Sequence, residues 1–260
     1  MVEVAGGPVE IELVEGRRDL APLVFLHEGL GSIDLWRGFP DDVRVATGSP
    51  TTLVYSRHGY GRSAPAELPR PVGYMHHEAD VVLPALLAAL GIERPVLIGH
   101  SDGASIALLH AGSIARPELA GLVCLAPHVF VEPESIVGIA EARSAFETSD
   151  LADRMARYHD DPVATFRGWN DVWSSAAFEA WDITDRLGGI TDPVLCVQGT
   201  ADQYGTVHQV DAIAAGVAGR CERLVLDDVG HAPHLERRAE VVAAIDGFLA
   251  SEGGAAISAG

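Results

Sequence analysis

Residues 95–111 read PVLIGHSDGASIALLHA. An apolar run of strand character enters Gly99-His100-Ser101-Asp102-Gly103, and an Ala- and Leu-rich stretch of helical character follows at once. This is Gly-x-Ser-x-Gly in the setting that gives the pattern meaning: strand, sharp turn, helix. Such a turn holds its serine in a strained backbone and lifts the hydroxyl above the carboxyl edge of a sheet. Glycine on either side removes Cβ atoms that would collide there. A helix N-terminus beneath Ser101 favours negative charge developing nearby. An ordinary strand-to-helix turn would not need both glycines, so Ser101 reads as a nucleophile.

On both sides of this stretch, short β-branched runs alternate with helix-length segments. Strands are expected at residues 9–14, 22–27, 51–56, 95–99, 121–126, 194–199 and 223–226. Several are continuous apolar runs (LVFL, LVCLA), the pattern of strands buried on both faces of a parallel sheet. Helices are expected at 73–90, 104–115, 206–215 and 233–250. The fold class is α/β, a doubly wound, mostly parallel sheet with helices on both faces.

The alternation stops once, between 126 and 194. That stretch has helical patterning at 134–147, 150–159, 162–174 and 178–181, and a structureless loop of such length is improbable in a compact domain. Trp169, Trp173 and Trp181, three of the four Trp, lie here with Phe130, Phe146, Phe166 and Phe178. The expected organisation is a core of 1–128 and 187–250, a small inserted helical cap at 129–186, and a flexible tail at 251–260. An aromatic cap over an α/β sheet encloses an apolar pocket. Trp169, Trp173 and His128, which follows a strand end, are its candidate lining, although any one of these side chains could equally serve only as packing.

A serine needs a base. Gln198-Gly199-Thr200-Ala201-Asp202 and Asp228-Val229-Gly230-His231 both follow strands, at the carboxyl ends where open α/β sheets place their sites. His231 is assigned as general base. Asp202 is assigned as the carboxylate that fixes its tautomer, ahead of Asp227 and Asp228, which belong to the histidine's own strand and loop. His234 reads as a packing or capping residue. After the strand ending Phe25-Leu26-His27 comes Glu28-Gly29-Leu30-Gly31. One oxyanion amide is expected from Gly29 or Leu30 and the other from Asp102.

Composition narrows the alternatives. The chain has 260 residues, 37 acidic against 18 basic, a net charge of −19. Such a surface repels phosphate backbones and anionic membranes, so neither nucleic acid nor membrane is an expected partner. All 18 basic residues are Arg. The absence of Lys excludes Schiff-base and pyridoxal-phosphate chemistry, P-loop nucleotide binding and protein-kinase activity. Cys124, Cys196 and Cys221, odd in number and without Cys-x-x-Cys spacing, form neither a disulfide framework nor a zinc site. His76-His77-Glu78 with Asp80 does not present a metal-binding face, since adjacent helical residues diverge. The loop Arg57-His58-Gly59-Tyr60-Gly61-Arg62-Ser63 does not fit a phosphate-binding glycine pattern and reads as a scaffold turn. No apolar run reaches the roughly 18–20 residues of a membrane span. MVEVAGGPVE lacks the features of a signal peptide, so a cytoplasmic location is expected.

Taken together, HEGLG (27–31), SRHGYGRS (56–63), GHSDG (99–103), GTAD (199–202) and GHAPHLE (230–236) resemble the α/β-hydrolase superfamily over nearly the whole chain. The resemblance implies cofactor-free hydrolysis of a small-molecule ester or related acyl compound through an acyl-enzyme, with no metal, in a monomer or homodimer. Two departures stand out: many members carry His-Gly where this chain has His27-Glu28, and most carry Met, Gln or Leu where it has Asp102. Haloalkane dehalogenases and epoxide hydrolases of this fold use an Asp nucleophile, against which Ser101 speaks. The C–C bond hydrolases of the superfamily place Trp soon after the catalytic His, where this chain has Ala232-Pro233-His234. Acyl transfer, and ligand binding without turnover, are the remaining alternatives.

Overall fold

The strand that leads into the serine turn, β5 (Val96–His100), lies inside an eight-stranded sheet. In chain order the others are β1 (Val2–Val4), β2 (Gly7–Val14), β3 (Leu23–Leu26), β4 (Thr52–Ser56), β6 (Gly121–Leu125), β7 (Val194–Gly199) and β8 (Cys221–Leu226). The sheet order is β1-β2-β4-β3-β5-β6-β7-β8. β1 and β2 pair antiparallel at one edge, and every pairing from β4 to β8 is parallel. This computed structural model describes residues 1–114, 116 and 118–257, with side chains through 251.

The continuous apolar runs become two-sided strands. Val24 and Leu26 of β3 face one core with Leu97 of β5, while Leu23 and Phe25 face the other with Val96 and Ile98. The first core is covered by α2 (Tyr74–His77), α3 (Leu83–Leu90) and α4 (Asp102–Ala111), among others. The second is covered by α1 (Phe39–Ala46) and α11 (Arg238–Ile257). Period-two alternation sends successive side chains to opposite faces, and here both faces are dry. All ten residues of α4 are buried, which its small and apolar sequence permits. Register aligns Leu26 with Gly99 and His100 with Leu125, so the loops after β3, β5 and β6 leave the sheet at neighbouring points.

Between β6 and β7 the chain forms α5 (Pro133–Thr148), α6 (Leu151–Met155), α7 (Pro162–Trp173) and α8 (Thr184–Leu187). Residues 178–181 are not helical: they form one turn, with Trp181 N–H donating to Phe178 O. Their aromatics stack on one another with ring centroids 5.3 Å apart. The helix expected over 150–159 shrinks to α6. The run 73–90 is interrupted by a π-helical turn at Glu78–Val82, just ahead of Pro84. Proline has no N–H to donate and its ring crowds the carbonyl four residues back, which the wider turn relieves. The run expected over 233–250 divides into α10 (Pro233–Glu236) and α11. β1, of three residues, and α1 were not expected. α11 continues to Ile257, and residues 258–260 of the stretch read as a tail lie outside the described residues.

The remaining helix, α9 (Val207–Gly216), follows the loop that carries Asp202. Cys124 and Cys196 are buried, Cys221 is half-buried, and all three are free thiols. No helix among the described residues is long and apolar enough to cross a membrane.

Candidate active site

Ser101 occupies the turn between β5 and α4 with φ 52° and ψ −118°, a region L-residues rarely adopt. Its amide donates to Leu125 O at 2.9 Å, and its carbonyl accepts from Ala104 and Ser105 N–H at 2.9 and 3.1 Å. The turn is thus tied to β6 and to the first turn of α4. The flanking glycines are explained by contact: a Cβ at Gly103 would overlap the Leu26 and His27 carbonyls, and one at Gly99 would overlap Gly103 O and the Ala104 backbone. Strain is held where a hydroxyl must be presented.

Asp202 and His231, from the loops after β7 and β8, meet. His231 Nδ1 lies 2.8 and 2.9 Å from the two carboxylate oxygens. Asp202 also accepts Tyr204 N–H at 2.8 Å and Gln198 Nε2–H at 2.9 Å. Burial opposes its ionisation, but the His231 contact and these donors outweigh it and hold the carboxyl at about 2. The loops are joined by Thr200 N–H to Leu226 O and Ala201 N–H to Val229 O, both 2.9 Å. The His231 carbonyl accepts His100 Nε2–H at 2.7 Å. Since Nδ1 faces a carboxylate, the ring presents Nε2 outward, the tautomer a general base requires.

Ser101 and His231 line one cavity of about 90 Å³. No hydrogen bond joins the Ser101 hydroxyl to the imidazole among the described residues, a looseness common in unliganded sites. Gly29, Leu30, Asp102, His128, Trp169 and Trp173 line the same cavity, so every candidate residue is brought there except Asp202, which stands behind His231. Glu28, Ser135, Ile139 and Tyr204 line it too and were not anticipated. Tyr204 carried a signal: it is an aromatic two positions after the acid, and its ring centroid lies 4.7 Å from that of His231.

The loop after β3 is pinned through its carbonyls. Glu28 O accepts Gly31 N–H at 3.1 Å, and Leu30 O accepts His159 Nε2–H at 3.0 Å. Arg57 Nη2 donates to Glu28 O at 2.9 Å and to His27 O at 3.3 Å. The amides of Gly29, Leu30 and Asp102 donate to no acceptor among the described residues, which leaves them free for a substrate oxygen. Gly29 must be glycine because the Trp169 indole fills the space of a side chain.

The Asp102 side chain turns down into the protein. It is wholly buried, accepts the Tyr74 hydroxyl at 2.5 Å, and lies 3.7 Å from Arg57 Nη2. Trp173 Nε1–H donates to the Tyr74 oxygen at 3.1 Å. One buried network therefore joins the loop after β3, the residue after the serine and the helical insertion. The loop at 57–63 is more than a turn, since its arginine underlies the loop after β3. Removing one partner of a buried ion pair costs roughly 3–5 kcal/mol. Asp102→Ala is accordingly expected to lower the thermal midpoint by about 10 °C, read by circular dichroism, with Asp102→Asn milder. An unchanged midpoint in Asp102→Ala would show that the pair contributes nothing.

His128 is buried, with Nε2–H donating to Tyr204 O at 3.1 Å. Burial first, and His231 second, hold it at about 4, so it is neutral at neutral pH. His234 packs between Trp36, Phe39 and His100 in the second core. No group of three or more His, Cys, Asp or Glu is placed to hold a metal among the described residues.

An eight-stranded sheet with a strained Gly-x-Ser-x-Gly turn, and an acid–histidine pair after its last two strands, is the architecture of the α/β hydrolases. The model of the alpha/beta hydrolase family matches residues 23–244, and the chain belongs to that family. It is a hydrolase of that fold. A protein named "Putative carbamate hydrolase RutD" from Pseudomonas savastanoi pv. phaseolicola is 27% identical over 237 residues, covering 83% of this chain and 88% of its own. The solved structure described as "Est816 as an N-Acyl homoserine lactone degrading enzyme" is 28% identical, covers 95% of this chain and 99% of its own, and superposes with a TM-score of 0.69. A carboxylesterase structure from the thaumarchaeon Nitrososphaera gargenis superposes at 0.79 over 98% of both chains at 16% identity, a likeness of fold.

Proposed function

We propose that this chain is a serine hydrolase of small carboxylic esters or lactones, acting through an acyl-enzyme on Ser101. The observation that carries the reading is the strained serine opening onto the same cavity as an imidazole whose far nitrogen is fixed by Asp202. The lactone-degrading relative supports it at the level of substrate class. Carbamate hydrolysis, the chemistry in the RutD name, would use the same acyl machinery.

In the first step Ser101 Oγ attacks the substrate carbonyl while His231 Nε2 takes its proton. The developing oxyanion is held by the Asp102 amide and by that of Gly29 or Leu30. Asp202 stabilises the imidazolium without taking the proton. The leaving alcohol takes the proton from His231, and water then repeats the sequence on the acyl-enzyme. The insertion at 129–186 serves as the cap: Trp169 and Trp173 close the cavity and exclude bulk water.

A cavity of about 90 Å³ is small for a ligand pocket. Among p-nitrophenyl acetate, butyrate and octanoate, the short esters are expected to have the higher kcat/KM, with octanoate at least roughly tenfold lower. Octanoate preferred over acetate and butyrate would contradict this pocket, and no turnover of any of them would contradict the ester reading.

A further inference from the structure

The residues that line the cavity include two acids and no Arg. The acids are Glu28 and Asp102, and the chain contains no Lys. Asp102 is wholly buried against Arg57 and Tyr74, so its charge is answered from below. Glu28 differs. Its side chain keeps 28% of its surface exposed. Its carboxylate occupies the space a side chain on Gly31 would need. His100 Nδ1 lies 3.5 Å from its Oε2. His100 stands behind the wall rather than in it, with Nε2–H committed to the His231 carbonyl.

Three arginines of the surrounding loops and insertion are engaged elsewhere. Arg57 is wholly buried under the loop, on the His27 and Glu28 carbonyls. Arg70 donates to His58 O and stacks on Tyr60. Arg143 is held by Asn170 and Asp171. An anionic substrate would leave water for a confined space that faces a like charge and offers no counter-charge. The protein's net charge of −19 adds to the barrier on approach.

We propose that Glu28 is a specificity determinant that restricts the site to acyl compounds without a carboxylate. The inference rests on the serine-hydrolase reading and narrows its substrate class to neutral esters and lactones. Discrimination by a placed repulsive charge needs no new attractive contact.

The test compares p-nitrophenyl butyrate with p-nitrophenyl hemisuccinate, which adds a carboxylate to an acyl chain of similar length. Both are assayed with the full-length enzyme at pH 7.5 and low salt, each corrected for spontaneous hydrolysis. The expected kcat/KM for butyrate is at least about tenfold higher. Glu28→Gln is expected to close most of that gap by raising the hemisuccinate value relative to butyrate. With the wild-type enzyme alone, added NaCl is expected to raise the hemisuccinate value while butyrate stays level, because salt screens the repulsion. Equal kcat/KM for the two esters, or a gap that Glu28→Gln does not narrow, whatever salt does, would overturn the assignment of Glu28 and leave the hydrolase reading standing. Failure of both esters would overturn that reading, and this inference with it.

Discussion

Ser101→Ala is expected to abolish turnover, with kcat falling by at least roughly 10⁴-fold, while the protein stays folded. Alanine has the same Cβ as serine, so the backbone at φ 52° is no worse off than before. The Ser101 hydroxyl makes no hydrogen bond among the described residues that the fold would miss, since the turn is tied through backbone groups. His231→Ala should cost about as much, because nucleophile and base act as a unit and their losses are not additive. The double variant is then barely worse than either single one. Circular dichroism and thermal melting would show wild-type structure. A folded Ser101→Ala protein with activity near that of the wild type would remove the serine from the chemistry.

The second large effect is acid lability. Burial holds His27 and His234 well below the ordinary histidine value, His110 and His159 below it, and His128 at about 4. The unfolded chain therefore binds more protons than the folded one from about pH 6.5 down to each folded value. Stability that is complete above that window is lost as pH falls through it. For His128 alone the drop from 6.5 to about 4 corresponds to roughly 3 kcal/mol. Asp202, Glu28 and Glu132 are held low, so their contribution is present above about pH 4 and is lost as pH falls below it. Both sets act in the same direction, histidines first and carboxylates after. The thermal midpoint should fall by more than about 10 °C between pH 7 and pH 4.5, with a shallower slope in His128→Gln. A midpoint that stays level across that range would contradict the buried neutral imidazoles.

What could be read in advance was what short-range constraint dictates. The Gly99-x-Ser101-x-Gly103 turn was legible from its spacing between a strand and a helix, although only the collision at Gly99 is local and that at Gly103 is with the end of β3. The parallel strands were legible because a strand buried on both faces must be apolar throughout, as LVFL and LVCL are. Asp202 and His231 could be nominated because loops at strand carboxyl ends converge, and the structure brings the two into contact. What was missed depends on tertiary packing. Nothing local says that the Trp169 indole fills the side-chain space of Gly29, or that Asp102 turns away to meet Arg57. Glu28 was noticed only as a departure from His-Gly. Its place on the cavity wall follows from the room left by Gly31, which no spacing rule encodes. α1 has too short an apolar stripe to stand out, and the turn at 178–181 copies a helix only in composition.

The most direct test of the serine mechanism is intact-mass analysis after treatment with a fluorophosphonate, which reacts with a serine only where a base and an oxyanion site are assembled around it. One adduct per chain is expected, mapping to the peptide that contains Ser101 and absent from Ser101→Ala and His231→Ala. No adduct on folded wild-type protein, or one located on another residue, would contradict the account.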